Sequence, residues 1–184
     1  MNAEKQYIDF YNEVKDTIAA RSSQEMNTCR EAALHTFATQ GFPSPKVERY
    51  RYAKVETDFS PNYGIALTPI KGPLPPHCFR IADAVPHART LYNKVADTAD
   101  SIVALNTMLC VDTLVVHVPK GTRVEHPIQI SNTLKGEQDT MVCRRILIIM
   151  EELAQADVII TDRATSQSRF LTNQVIEVVM HDGS

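Results

Sequence analysis

The sequence predicts a mainly β fold that follows an N-terminal α-helical hairpin. Apolar residues recur at helical spacing near the N-terminus, and short apolar segments rich in β-branched residues recur from about residue 105 onward. The chain then divides into an N-terminal helical region at 1–52, a linker or cap segment at 53–104 and a β region at 105–184. Short, regularly spaced strands are typical of a sandwich, a barrel or a β-solenoid, and their spacing does not choose among the three.

The hairpin is predicted from two apolar stripes joined by a short link. The first helix covers residues 6–20, and the second begins at Ser22 or Ser23 and ends at Gly41. Ser22 and Glu25 fit a capping box. The short link implies that the helices pack antiparallel. The stripes consist of Tyr7, Phe10, Tyr11, Val14 and Ile18 in the first helix and of Met26, Cys29, Ala33 and Phe37 in the second.

The segment Gly41–Tyr52 combines cations with Tyr50 and Tyr52, and it has two interpretations. It is a docking surface for a partner, or Arg51 and the tyrosines fasten the helical part to the sheet by stacking and cation–π contacts. The second interpretation is favoured. After this segment, residues 53–104 show little periodicity and are expected to wrap the body and cap one end of it.

Within the linker, Pro86 is expected to keep any helix from reaching His87, and residues 88–97 are consistent with a short helix. The stretch from Leu105 to Ile130 is central. An apolar strand is predicted up to Val118, with a turn at 119–121 and a second strand around Ile128. Further strands are predicted at 145–150, 157–161 and 169–180.

Composition excludes several classes of protein. The formal net charge is −3 and the calculated pI is about 6.1, so the chain lacks the basic footprint of a nucleic-acid-binding protein. The N-terminus resembles no signal peptide, and the longest aliphatic run, 146–150, is far too short to span a membrane. A cytoplasmic location is expected.

No sequence motif indicates an enzyme: Walker, GxGxxG, HExxH and GxSxG patterns are all missing. Asp157 and Asp162 are the candidate carboxylate pair, although their spacing does not require them to converge. The adjacent Glu151 and Glu152 would face opposite ways on a strand. Lys120 is expected to be a solvated turn tip. The histidines are scattered, and His117 is interpreted as a surface or satisfied core residue. They are His35, His77, His87, His117, His126 and His181.

The four cysteines form no CxxC or CxH pattern. They are predicted to be reduced and mostly buried thiols, since a cluster site would need the fold to bring their sulfurs together. No catalytic, cofactor-binding or metal-binding residue is assigned, and neither a bound cluster nor zinc is expected in this chain alone. The four are Cys29, Cys78, Cys110 and Cys143.

Several segments resemble the SufB/SufD family of iron–sulfur cluster assembly proteins. The central matches are Leu105-Asn106-Thr107, Asp112, Val118-Pro119-Lys120-Gly121 and Pro127-Ile128-Gln129-Ile130, with further ones at 41–52, 144–156 and 173–177. The resemblance implies a right-handed parallel β-helix, truncated here, whose residues 105–184 would form about three or four coils. The N-terminal hairpin and the 41–52 block favour the SufD branch, in which the position of Tyr50 is often tryptophan.

The function implied by the resemblance is a non-catalytic scaffold subunit, present as an N-terminal fragment. Its partners would be a SufB-like subunit, bound through the β-helix, and a SufC-like ATPase, bound through a missing C-terminal region. The fragment would hold no cofactor, and the full complex would assemble iron–sulfur clusters. A SufB-type subunit is the nearer alternative, and a polysaccharide-active β-helix enzyme the more distant one. The fragment is also expected to self-associate through its last coil, whose interior Val175 and Val179 would cover.

Overall fold

The computed structural model describes residues 3–184, which form an N-terminal helical pair, a curled mixed sheet and a second, smaller sheet. Two 3₁₀ turns, Glu48–Tyr50 and Ile81–Asp83, lie between the longer elements. The helices are α1 (Ala3–Arg21), α2 (Gln24–Gln40), α3 (Val55–Phe59), α4 (Pro86–Thr90) and α5 (Ser101–Leu109). The strands are β1 (Gly64–Ala66), β2 (Cys78–Arg80), β3 (Thr113–Val118), β4 (Ile128–Leu134), β5 (Thr140–Met150), β6 (Val158–Ala164) and β7 (Phe170–Met180).

The two predicted N-terminal helices are confirmed, and their apolar stripes face the core. Tyr7 and Phe37 are buried and meet edge to face, with ring centroids 6.5 Å apart. The predicted capping box is wrong, because Ser23 is the N-cap of α2 and accepts from the Met26 N–H. The Ser22 hydroxyl instead lies 2.9 Å from the Ile18 and Val111 carbonyl oxygens. Gly41 ends α2 at a φ of +64°.

The first part of the predicted central strand is a helix. Residues 101–109 form α5, and the Asp100 carboxylate caps it by accepting from the Ile102 and Val103 N–H groups. The prediction is wrong here because α5 is buried on nearly all sides, and a short continuous apolar run has no periodicity that separates a helix from a strand. The strand begins only at Thr113.

The prediction for Pro86 is also wrong. This proline lies in the first turn of α4, where its missing N–H would have had no helical partner, so it starts the helix that contains His87 instead of excluding that residue. The predicted helix at 88–97 is therefore displaced toward the N-terminus. After α4 the chain makes turns that place Tyr92 in the core and Asn93 at a φ of +62°.

In the main sheet, β3, β5 and β7 are parallel neighbours. Thr113 of β3 is opposite Arg145 of β5, and Thr140 of β5 is opposite Phe170 of β7. In the second sheet, β4 and β6 pair in parallel over their full lengths. The chain thus alternates between the sheets and returns to each after about 30 residues, a longer repeat than the ~20 residues on which the predicted three or four coils rested.

The linker contributes two short strands to the main sheet. β1 pairs parallel with the first part of β5, and β2 pairs antiparallel with β3. The β2 contact covers the edge of β3 that does not face β5. Backbone groups that would otherwise be exposed at that edge are therefore paired.

Alternate residues of the main sheet pack against different layers. Leu114, Val116 and Ile146 face the second sheet and pack in one cluster with its Ile128 and Ile130. Their neighbours along the strands face the helical side. There, Val115, Leu147 and Ile149 pack with Met26, Ile81 and Ala88.

The interior face of β7 differs from the expectation. Val175 is opposite Arg145, and Val179 packs with the cluster on the helical side. The apolar residues on the side of the second sheet are Ile176, Val178 and Met180, whose exposed fractions are 43%, 48% and 60%. The prediction therefore assigned the residues of β7 to the wrong faces: those expected in the interior between the sheets lie on the helical side, one residue out of step.

A buried ion pair joins β5 and β7 to the elements on the helical side. The Arg145 guanidinium lies 2.7 Å from the Glu177 carboxylate, and the side chains are 0% and 1% exposed. Arg145 also donates to the Thr107 hydroxyl of α5 and stacks over the Tyr92 ring, 4.9 Å from its centroid. The Glu177 carboxylate accepts three backbone N–H groups, those of Asn93, Val95 and Ala96. The pair thus connects four segments of the chain, namely β5, β7, α5 and the turn at 93–96.

A second buried cation, Arg30, ties α2 to the end of α5. Its guanidinium donates to the carbonyl oxygens of Thr107, Met108 and Cys110, at 2.8 to 2.9 Å. Positive charge at a helix C-terminus is favourable because the last carbonyls lack helical donors. Burial lowers the pKa of Arg30.

The two tyrosines of the 41–52 segment have different environments. The Tyr50 hydroxyl donates to the Asp100 carboxylate at 2.8 Å and so links this segment to the cap of α5. Tyr52 is 92% exposed, and its ring contacts the Arg51 guanidinium in solvent, at 5.6 Å. Tyr50 therefore fastens the segment to α5 by a hydrogen bond, not to the sheet by the predicted stacking or cation–π contact, and the prediction is wrong for Tyr52 and Arg51.

The substitution Arg145→Met should lower the free energy of unfolding by about 3–5 kcal/mol, because it leaves the Glu177 carboxylate buried without its partner. Urea denaturation at neutral pH measures the loss. The double variant R145M/E177M should recover part of it. The exposed pair Arg169–Asp139 supplies the control, since R169M should cost far less. Equal losses in R145M and R169M would contradict the assigned importance of the buried pair.

Replacing the two tyrosines should have opposite results. Tyr52→Ala should change the free energy of unfolding by no more than ~0.5 kcal/mol, the range of exposed positions. Tyr50→Phe should lower it by about 1–2 kcal/mol, because the Asp100 carboxylate loses a hydrogen bond. Parallel urea titrations compare the two. A larger loss in Tyr52→Ala than in Tyr50→Phe would refute this assignment.

Candidate functional site

Two histidines and a glutamate from distant parts of the sequence meet at one end of the main sheet. The Nε2 atom of His117 lies 2.8 Å from Glu151 Oε1, and the Nε2 atom of His87 lies 3.3 Å from the same oxygen. The two imidazole rings are edge to face, with centroids 5.2 Å apart. One ligand atom from each residue lies within 4.8 Å of the other two, a spacing in reach of a single metal ion. We call these three residues the His–Glu–His cluster.

The backbone holds two members of the cluster in fixed positions. His117 is the fifth residue of β3, and its N–H donates to the His77 carbonyl at 2.8 Å. Glu151 directly follows β5, and its N–H donates to the Val118 carbonyl at 3.0 Å, which extends the parallel ladder by one step. The side chains of His117 and Glu151 consequently lie on the helical side of the sheet edge, next to α4.

The third member, His87, is the second residue of α4. The helix is anchored by Ala88, which is fully buried, and by Arg89, whose guanidinium lies 3.8 Å from the Glu25 carboxylate of α2. The His87 side chain is 58% exposed, against 11% for His117 and 28% for Glu151. The cluster is therefore closed on the sheet side and open to solvent on the α4 side.

Hydrogen bonding keeps the Glu151 carboxylate charged. The His117 side chain and the backbone N–H of Lys120, which donates to Oε2 at 2.8 Å, hold the pKa of Glu151 below its usual range. A depressed carboxylate pKa means that the charged form is favoured in the folded state. The cluster thus brings a carboxylate together with one ring nitrogen from each of the two histidines.

The other acidic candidates do not converge. Asp157 precedes β6 and Asp162 lies within it, so the extended chain between them separates the two by roughly 17 Å and places them on opposite faces. Asp162 pairs with Arg144 and accepts from Asn132. The two carboxylates therefore form no acid–base pair.

The turn lysine has partners on both of its ends. The Lys120 backbone N–H donates to Glu151, as above, and its ammonium group binds the Glu152 carboxylate. Glu151 and Glu152 thus contact different groups of the same lysine, and both follow β5 instead of lying on a strand as the prediction assumed. Outside the cluster, His35, His126 and His181 are exposed. His77 has a φ of +64°, and its carbonyl accepts the His117 N–H next to the β2–β3 pairing.

The cysteines are free thiols among the described residues, in agreement with the expected reduced state. Cys78 and Cys110 are buried, and Cys29 and Cys143 are half-buried. Burial raises the pKa of Cys78 and of Cys110 to about 11 and raises that of Cys143 well above its ordinary value. Thiolates are the metal-binding and nucleophilic form, so Cys78, Cys110 and Cys143 are poorly suited to either role at neutral pH.

A groove of about 750 Å³ opens between the two sheets beside the 66–75 segment. Arg144 and Asn132 are among the residues that line it, and both contact Asp162. The Asp162 carboxylate neutralises the Arg144 guanidinium there. The His–Glu–His cluster is the better candidate for chemistry.

The cluster could not be predicted from the spacing of its residues in the sequence. Long stretches of chain separate His87, His117 and Glu151, and their spacing matches no local ligand motif. The register that pairs Val118 of β3 with Met150 of β5 would have placed Glu151 one step beyond the end of β3. No comparable signal indicates His87, because its position depends on how the linker folds back.

Comparison with known families identifies the chain's relatives. The family model for the SufBD protein N-terminal region matches residues 1–88 and 79–130, which together cover residues 1–130 of the 184. No curated protein matches the chain, and neither does any solved structure. Within residues 3–184, no helix is both long enough and apolar enough to cross a bilayer.

The free energy of unfolding should fall as pH rises above about 8.5, because the unfolded Cys110 thiol ionises there while the folded one keeps its proton up to about 11. The unfolded state then binds fewer protons, so alkali favours it. Between pH 8 and 9.5 the wild type should lose about 1 kcal/mol more than Cys110→Ala. Urea titrations under reducing conditions measure the difference. Parallel pH profiles for the two proteins would contradict the raised pKa.

Proposed function

The chain belongs to the SufB/SufD family, and we propose that it is a SufD-like, non-catalytic scaffold subunit of the SUF system for iron–sulfur cluster assembly. The observation that carries this proposal is the family match across residues 1–130. It covers both N-terminal helices, the linker and the first strand of the parallel ladder. The absence of enzyme motifs from the sequence agrees with a scaffold role.

The β region is proposed to be the first part of a right-handed parallel β-helix. Support comes from register: β3, β5 and β7 stack in parallel in one sheet, and β4 and β6 stack in parallel in the other. A chain that visits two sheets in turn and advances one strand per visit follows the path of a solenoid, and its repeat of about 30 residues is within the range of solenoid repeats. A right-handed crossover is the hand that parallel connections overwhelmingly adopt.

The choice of SufD over SufB rests on the helical pair and the 41–52 block. Near the end of this block, Tyr50 is hydrogen-bonded to the cap of α5, and Tyr52 is exposed. The proposed partners are a SufB-like subunit, bound through the β-helix, and a SufC-like ATPase. The proposed location is the cytoplasm, and the clusters are cargo of the full complex.

Co-expression tests the proposal. The tagged chain is produced with the SufB-like, SufD-like and SufC-like proteins of its own source, and captured partners are identified by mass spectrometry. A SufD-like role predicts a one-to-one complex with the SufB-like subunit. Capture of the SufD-like protein instead would favour the SufB-type alternative, and capture of none of them would contradict the scaffold proposal.

Two surface variants extend the capture experiment. Tyr52→Ala removes the exposed ring, and Val95→Ala, which is 55% exposed in another segment, serves as the matched control. If the 41–52 segment docks a partner, Tyr52→Ala should weaken capture while Val95→Ala does not, since exposed tyrosines are frequent binding hot spots. Equal capture by both variants would leave Tyr52 without a docking role.

A further inference from the structure

The donor atoms of the His–Glu–His cluster match the preferences of borderline divalent metal ions. Two imidazole nitrogens and one carboxylate oxygen suit Zn²⁺ and Fe²⁺, whereas Mg²⁺ and Ca²⁺ prefer oxygen ligands throughout. Two histidines with one carboxylate also form the ligand set of many catalytic zinc and non-haem iron sites. The donor set alone therefore selects the class of ion.

The distances are close to those that a bound ion requires. Two ligand atoms each about 2.1 Å from a tetrahedral ion lie about 3.4 Å apart. The pair His87 Nε2 and Glu151 Oε1 is already at 3.3 Å, and the pair His117 Nε2 and Glu151 Oε1, at 2.8 Å, needs to open by about half an ångström. His87 is largely exposed, so its ring is free to swing toward the other two donors.

The surroundings orient the ligands as metal sites usually do. The Glu151 oxygen that does not face the histidines accepts the Lys120 N–H, which fixes the plane of the carboxylate. His117 and Glu151 are both held by ladder hydrogen bonds, so their separation is set by the sheet. The Lys120 ammonium forms an ion pair with Glu152.

We propose that His87, His117 and Glu151 form a three-ligand site for a divalent first-row transition ion, Zn²⁺ or Fe²⁺, with the solvent-exposed α4 side open to a water molecule or another ligand. Three protein ligands and an open position distinguish such a site from a closed structural zinc site. The site would join α4 to the ends of β3 and β5. This inference is independent of the proposed scaffold role, because it rests only on the geometry of the cluster.

The experiment titrates the tag-free chain with Zn²⁺ by calorimetry, and with Fe²⁺ under anaerobic conditions, at neutral pH. One ion per chain is expected. His87→Ala and Glu151→Gln should each weaken binding by more than about 100-fold, since the loss of even an outer partner of a ligand costs about 10–100-fold. His126→Ala, an exposed histidine outside the cluster, is the matched control and should bind as the wild type does.

Two further readouts separate this site from other binding. The Co²⁺ complex should show visible d–d bands without intense thiolate charge transfer, because its ligands are nitrogen and oxygen. Zn²⁺ should raise the melting temperature of the wild type and of His126→Ala, but not of His87→Ala. His87 is exposed, so that variant is expected to fold. A lack of stoichiometric binding, a thiolate spectrum, or equal weakening by His126→Ala would overturn the proposal and leave the cluster as a hydrogen-bonded tether for α4.

Discussion

The buried pair of Arg145 and Glu177 is the constraint on which the arrangement of layers depends. Two full charges almost without solvent contact are tolerated only when each has several partners, and these partners come from different segments. β5 supplies the cation, β7 the anion, α5 a hydroxyl, and the turn at 93–96 three N–H donors. The position of that turn limits where α4 lies, and α4 carries His87. A core interaction thus contributes to the geometry of the surface cluster.

Strand register explains why the cluster is where it is. Residues of the main sheet alternate between the second sheet and the helical side, and the ladder of β3 and β5 ends at Val118 and Met150. Near that end, the side chains on the helical side of the sheet lie next to α4. His117 and Glu151 occupy these positions, and there polar groups meet water as well as each other. A polar cluster at the same depth as Leu147 would have carried a much larger desolvation cost.

Part of the candidate site was within reach of the sequence. Lys120 lies in the turn predicted at 119–121, and Glu151 directly follows the strand predicted at 145–150. The parallel register of β3 and β5 brings those segments together. The missing information was the register itself, since the chain has no strict internal repeat. The position of His87 could not be predicted from the sequence, for a different reason. Pro86 has the local signature of a helix breaker, although it occupies the first turn of a helix.

The sequence by itself determined the elements whose signal is local: α1 and α2 with their apolar stripes, the glycine that ends α2, and the succession of strands from Thr113 to Met180. These follow from the period of the pattern and from the turn residues, which act over a few positions. Tertiary structure decided that residues 101–109 are helical, that Tyr50 is bonded while Tyr52 is exposed, and that two histidines meet Glu151. Each of those outcomes depends on partners distant in sequence, whose burial and hydrogen bonds override a weak local preference.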